Sequence, residues 1–231
     1  MRNSLWTLVP LACSTSSVFA DPFWIAYEAN QDHTPPELQG WERSWNYGEP
    51  PTPPQRSVLN GIFTLNSLGL WHVLDYNYRA ATVSIDAGEE FVCEYRVRVT
   101  GDIHDTWVFI RPGNFGSEIG MTIGPAQVSL GDGTIDIAPG VFHQYRWTSP
   151  NMRDFDLYID GVLRDSRSAS NTIGPNMNVL FGDWTFGIAP GAPTSSSEWD
   201  YMRFGVIPEP TCGLALLLGF GIIHGARRAS P

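Results

Sequence analysis

The chain has 231 residues, and its 24 acidic side chains outnumber its 14 basic ones, all arginine, for a formal net charge of −10. That balance repels phosphate backbones and anionic lipid, which excludes a nucleic-acid partner and lasting attachment to an acidic membrane surface. With 42% hydrophobic and only 16% charged residues, the composition is that of a packed domain rather than a disordered chain.

The chain opens with Met1-Arg2, a mostly apolar stretch from Leu5 to Leu11, and small residues leading to Val18-Phe19-Ala20. This is the layout of a secretory signal peptide over residues 1–20, cut after Ala20. Residues 21–207 follow as one stretch of a length that suits a single all-β domain. It holds 11 arginines against 23 acids and one cysteine, Cys93, so it forms no internal disulfide. Cys93 alternates with Phe91, Tyr95 and Val97, which predicts a buried, inert thiol.

No long helical period occurs between residues 21 and 207. Short alternating runs between Gly, Pro, Asn and Asp predict antiparallel strands instead. In chain order these are Phe23–Tyr27, Gly61–Leu65, Trp71–Tyr76, Phe91–Val99, Thr106–Arg111, Glu118–Ile123, Ala126–Leu130, Thr134–Ile137, His143–Thr148, a run through Phe155, Leu157 and Ile159, a return strand from Val162, Asn178–Phe186 and Trp199–Val206. Phe91 to Val99 has an apolar face and a wet one bearing Glu94, Arg96 and Arg98. Asp160-Gly161 has the signature of a two-residue hairpin turn. The proline-rich segment from Asp32 to Gln55 reads as an irregular crossing loop broken by a short strand at Trp41–Trp45, and Gly187 to Ser197 reads as another loop. So many strands point to a two-sheet antiparallel jelly-roll sandwich.

Residues 208–231 have three parts: Pro208-Glu209-Pro210, an apolar run from Thr211 to Ile223, and Arg227-Arg228. As a helix the apolar run reaches about 20 Å, short of a comfortable membrane span. The arginines favour the cytoplasmic side and leave the domain outside. This order resembles the PEP-CTERM sorting signal of Gram-negative bacteria. The resemblance implies an exosortase as processing partner, transient membrane insertion through the C-terminal helix, removal of the tail near the tripeptide, and a final location in the cell envelope, at the cell surface or in the extracellular matrix.

Two further stretches resemble landmarks of the concanavalin-A-like and laminin-G-like superfamily. One is Phe142-His143-Gln144-Tyr145-Arg146-Trp147 followed by Phe155 to Val162, with its Leu157-Tyr158-Ile159-Asp160-Gly161 ending. The other is the closing strand Glu198-Trp199-Asp200-Tyr201-Met202-Arg203-Phe204, and Glu94 to Val99 is a weaker third match. The resemblance implies two curved antiparallel sheets, glycan or protein ligands, and in some relatives a rim calcium ion or polysaccharide cleavage.

The candidate chemistry is sparse. Glu198 and Asp200 share a strand face at the spacing of a glycosidase acid pair, but Arg203 stands where the similar glucanases carry a third acid. Asp200 reads more simply as a structural carboxylate at a strand start, Glu89-Glu90 as a solvated turn, and His143 as a structural hydrogen-bond partner. No cofactor is required. Calcium is the metal that loop carboxylates would suit, with Asp102 and Asp105 as ligands. For a glycan, Trp107 and Arg111 point the same way by the period of two and could form a stacking platform with a hydrogen-bonding fork, with Tyr76 nearby. The expectation is an exported, non-catalytic β-sandwich that binds glycan or serves structurally. The alternatives are a polysaccharide-active hydrolase or lyase, or an adhesive module that binds protein.

Overall fold

The computed structural model describes residues 25–30, 33–44, 55–67, 72–81, 84–101, 106–113, 118–169, 173–185 and 195–208. The signal peptide with Ala20, the metal candidates Asp102 and Asp105, Trp71, most of the Gly187 to Ser197 loop, and the tail with Glu209, Pro210, Arg227 and Arg228 lie outside the described residues. Among the described residues no helix is long and apolar enough to cross a membrane.

The described residues form fifteen strands: β1 (Ile25–Glu28), β2 (Glu42–Ser44), β3 (Gln55–Leu59), β4 (Ile62–Ser67), β5 (His72–Ala81), β6 (Glu89–Thr100), β7 (Thr106–Gly113), β8 (Ile119–Ile123), β9 (Gln127–Ser129), β10 (Thr134–Asp136), β11 (His143–Ser149), β12 (Asp154–Ile159), β13 (Val162–Ser168), β14 (Ile173–Thr185) and β15 (Ser195–Pro208). One sheet runs β13-β12-β11-β6-β15-β4-β3, with β1 added to β15, and the other runs β10-β9-β8-β7-β14-β5-β2. All pairings are antiparallel, so the fold is an all-β, two-sheet jelly-roll sandwich. The longest strands, β6, β14 and β15, lie inside their sheets, where both backbone edges find partners.

Alternation places the core. Phe91, Cys93, Tyr95, Val97 and Val99 of β6 are all buried, as are Phe155, Leu157 and Ile159 of β12. The centre of the sandwich is aromatic. Phe181 lies 4.7 Å from Trp199, 5.0 Å from Trp41 and 5.4 Å from Tyr76, centroid to centroid. Trp41 stands at the start of the short strand expected over Trp41–Trp45, which is β2; a 3₁₀ turn, Pro36–Gln39, ends at Gly40 in the left-handed region and delivers Trp41 into the interior. Burial pushes the Cys93 thiol far above its ordinary range, in keeping with an inert cysteine.

Asp160 (φ 51°) and Gly161 (φ 78°) form the expected hairpin turn, and Asn60 (φ 52°) and Gly61 (φ 74°) form the same device between β3 and β4. The sequence reading missed β3 because Gln55–Leu59 does not alternate cleanly.

Three local expectations are corrected. Glu89 and Glu90 are not a solvated turn but the first residues of β6; Glu90 pairs with Arg146. Asp200 is not at a strand start. It is the extra residue of a bulge within β15, opposite β6, and its side chain accepts from Arg96 at 2.6 Å while its backbone carbonyl accepts from Ala29. The bulge reverses the parity of the strand, so Trp199, Met202 and Phe204 all reach the core. Glu94 is not wet either: it is only 4% exposed.

Candidate functional site

The glycan candidates fall on the seven-stranded sheet, but on opposite faces. Tyr76 points inward and is fully buried. Its hydroxyl accepts from Arg56 Nη1 at 3.0 Å, and burial pushes its pKa up to about 12 despite that arginine. A ring in this position offers no face to a sugar, so Tyr76 is a core residue. Trp107, Phe109 and Arg111 do share one outward face of β7, because Val108 and Ile110 take the inward positions. Trp107 is nevertheless 2% exposed, its ring packed edge-on against Phe109 at 4.6 Å, and it cannot serve as the platform.

Phe109 is the half-buried ring that this face presents. It stands between Leu180 of β14 and Gly120 of β8 in the register of the sheet. A Cβ on Gly120 would sit 2.2 Å from Phe109 Cδ1, so the phenyl ring covers the space that a side chain there would fill. A residue with any side chain at position 120 would push the ring off the sheet. The Arg111 guanidinium carbon is 5.9 Å from the Phe109 centroid, and Arg111 Nε donates to Glu118 at 2.5 Å.

Beside Phe109 lies an open hollow of about 290 Å³. Glu118, Thr122 and Ser129 line it together with the ring. Thr122 and Ser129 are cross-strand partners, so their hydroxyls stand side by side. Arg167 closes one end; it reaches across from β13 to donate to the Leu130 carbonyl at 2.7 Å and to Asp132 at 3.2 Å. Paired ions hold Arg111, Glu118 and Arg167 in place before any ligand arrives. The hollow thus combines an aromatic surface, two hydroxyls, a carboxylate and guanidinium donors. It can stack an apolar ring face and exchange hydrogen bonds with several hydroxyls, and Glu118 is the one acid among the described residues that line it.

The acid pair of the closing strand lies on the other sheet. Glu198 accepts from Arg98, and Asp200 from Arg96. Both arginines also face the Phe142 ring, at 4.8 and 4.9 Å from its centroid. His143 is held on both ring nitrogens, by Asp160 at 2.6 Å and the Ala138 carbonyl at 2.8 Å, which meets the expectation of a structural histidine. Among the described residues no group of three or more His, Cys, Asp or Glu could hold a metal ion.

Comparisons with known proteins agree on the architecture. No family model matches the chain, and no curated protein matches it. Among solved structures it is similar to a carbohydrate esterase of the Shiga toxin-encoding bacteriophage phi24B, with TM-score 0.56 and 14% identity over 81% of this chain and 99% of that one. It is also similar to a sialidase, with TM-score 0.54 and 10% identity over 80% of this chain. The chain spans only 19% of the sialidase. Likeness at this identity defines a class, the jelly-roll β-sandwich, and goes no further than the fold.

Proposed function

We propose that this protein is an exported β-sandwich that recognises a glycan at the Phe109 hollow without cleaving it. The observation that carries the reading is the phenyl ring laid over Gly120 and bordered by Glu118, Thr122, Ser129 and Arg167. A pyranose presents one C–H face and a rim of hydroxyls, which is the complement of that surface. The named neighbours, an esterase of carbohydrates and a sialidase, support sugars as the ligand class. A retaining or inverting glycosidase needs two carboxyl groups across the scissile bond; among the described residues the hollow is lined by one acid, Glu118, which is tied to Arg111.

Export rests on the two terminal signals. Cleavage after Ala20 and exosortase processing near Pro208 would release a domain whose last strand is complete, since Pro208 is the exposed final residue of β15. The mature protein would then reside in the envelope or the surrounding matrix. Mass spectrometry of its two termini after secretion tests this; an intact chain recovered from the cytosol would end it.

A glycan array tests the binding function, run once with calcium and once with a chelator, so that a role for Asp102 and Asp105 also shows. Phe109→Ala should abolish binding at the hollow while the fold remains. The alternative, a polysaccharide hydrolase or lyase, predicts new reducing ends or unsaturated products that vanish in Glu198→Gln or Asp200→Asn. No glycan binding under either condition would leave the protein-binding adhesive role.

A further inference from the structure

The Phe109 hollow is one end of a longer surface on the seven-stranded sheet. Along β8 and β9 the inward positions Ile119, Met121, Ile123 and Val128 are buried. The outward positions that alternate with them are polar or small, and those of β10 continue the pattern with Thr134. Register then aligns three of them, because Thr122 is the partner of Ser129 and Ser129 is the partner of Thr134. Cross-strand partners point to the same side of a sheet. Their hydroxyls therefore form one row across β8, β9 and β10, at right angles to the strands, one per strand spacing of about 4.8 Å.

The row starts inside the hollow and leaves it. Thr122 and Ser129 line the hollow, whereas Thr134 lies beyond it, exposed on β10 at the end of the sheet. The surface is open in this direction only. On the β14 side Leu180 is 4% exposed and Trp107 2%, although both share the outward face. On the β10 side a Cβ placed on Gly131 or Gly133 would meet nothing within 4 Å, so the turn between β9 and β10 leaves the way along the row clear. From Phe109 on β7 to Thr134 on β10 is three strand spacings, roughly 14 Å. One pyranose ring on Phe109 cannot reach Thr134, but a linear chain of about four can. Each Ser or Thr hydroxyl both donates and accepts, so it can meet the hydroxyls of successive sugar rings in either sense.

We infer that the hollow is the first position of a track for an extended polysaccharide segment, which runs across the strands from Phe109 along Thr122 and Ser129 to Thr134. The inference rests on the glycan reading of the hollow and adds the length and direction of the ligand. It also assigns a binding role to Thr134, a residue outside the hollow. A pocket for a single sugar unit would use Phe109 and its immediate neighbours and would ignore Thr134.

The test is calorimetric titration of the full chain with the di-, tetra- and hexasaccharides of four series: cello-, laminari-, manno- and galacturono-oligosaccharides. In a series that binds, affinity should rise about tenfold from disaccharide to tetrasaccharide, the worth of one or two net hydrogen bonds, and change little beyond that. Thr134→Val keeps the side-chain shape and the strand preference on an exposed position. It should weaken the tetrasaccharide about fivefold, the worth of one hydrogen bond, and leave the disaccharide unchanged. Ser129→Ala, inside the hollow, should weaken both lengths. Absence of binding in all four series, or full binding by Phe109→Ala, ends the glycan reading of the hollow and the track with it. A disaccharide that binds as tightly as the tetrasaccharide overturns the track and leaves the hollow standing. So does a Thr134→Val protein that loses both lengths equally or neither.

Discussion

The two sheets share an interior but differ on the outside. The eight-stranded sheet turns a lattice of paired charges outward: Arg98 with Glu198, Arg96 with Asp200, and Glu94 between Arg203 and Arg146. The seven-stranded sheet turns out an apolar row, Leu180-Phe109-Gly120, with Trp107 beside it. Alternation explains why both have an inside and an outside. It does not explain why one exterior is ionic and the other aromatic. That difference gives each face its own surface chemistry, paired ions on one side and an aromatic ring on the other.

The shared interior should be far less tolerant than either exterior. Phe181→Ala removes a ring that touches Trp199, Trp41, Tyr76 and Tyr27, and should cost about 3–5 kcal/mol in urea unfolding. A cost near that of a surface change would mean that the two sheets do not share this core. On the ionic exterior, Glu94→Gln should cost about 1–3 kcal/mol, because Arg203 loses the buried carboxylate it donates to. Glu198→Gln, whose pair with Arg98 is partly exposed, should cost about 1 kcal/mol or less. Equal losses for these two would show that the lattice is uniform, contrary to the burial of Glu94.

On the aromatic exterior, Gly120→Val should cost about 1–3 kcal/mol by forcing the Phe109 ring aside. It should also abolish glycan binding at the hollow, whereas Glu198→Gln leaves it unchanged. The smallest effect concerns pH. Partial burial pulls the Asp160 carboxyl upward, but the Gln144 N–H and the His143 ring outweigh it and hold it below the usual range. Its contribution is therefore present above the unfolded value near pH ~3.9 and is lost as pH falls through the lower folded value. With the side chain 52% exposed, solvent screening keeps this below about 1 kcal/mol. Asp160→Asn, which keeps the left-handed turn, should flatten that acid limb when urea midpoints are compared at and below pH ~4.

Much of the fold was legible because strand faces and hairpin turns are local properties. Phe91 to Val99 shows its buried side in nine residues, and Asp160-Gly161 announces its turn in two. The site was half legible. The period of two put Trp107 and Arg111 on one face correctly, yet the ring that this face exposes is Phe109 between them. The signal that could have found it was Gly120, a glycine inside a strand pattern, which marks a place where another group comes close. Tyr76 alternates well enough but faces inward, and alternation by itself does not say which face of a two-faced strand is the core.

What the amino-acid order determined unaided was the all-β class, the single cysteine of residues 21–207 and the core faces of β6 and β12. Each of these depends on residues that are neighbours along the chain. Only the tertiary structure decided that Glu94 is buried, that Asp200 forms a bulge which turns Met202 and Phe204 inward, and that Phe109 rests on Gly120. These depend on the register between strands, in the case of β6 and β15 about a hundred residues apart. A register is a property of two segments together, so neither segment carries it alone.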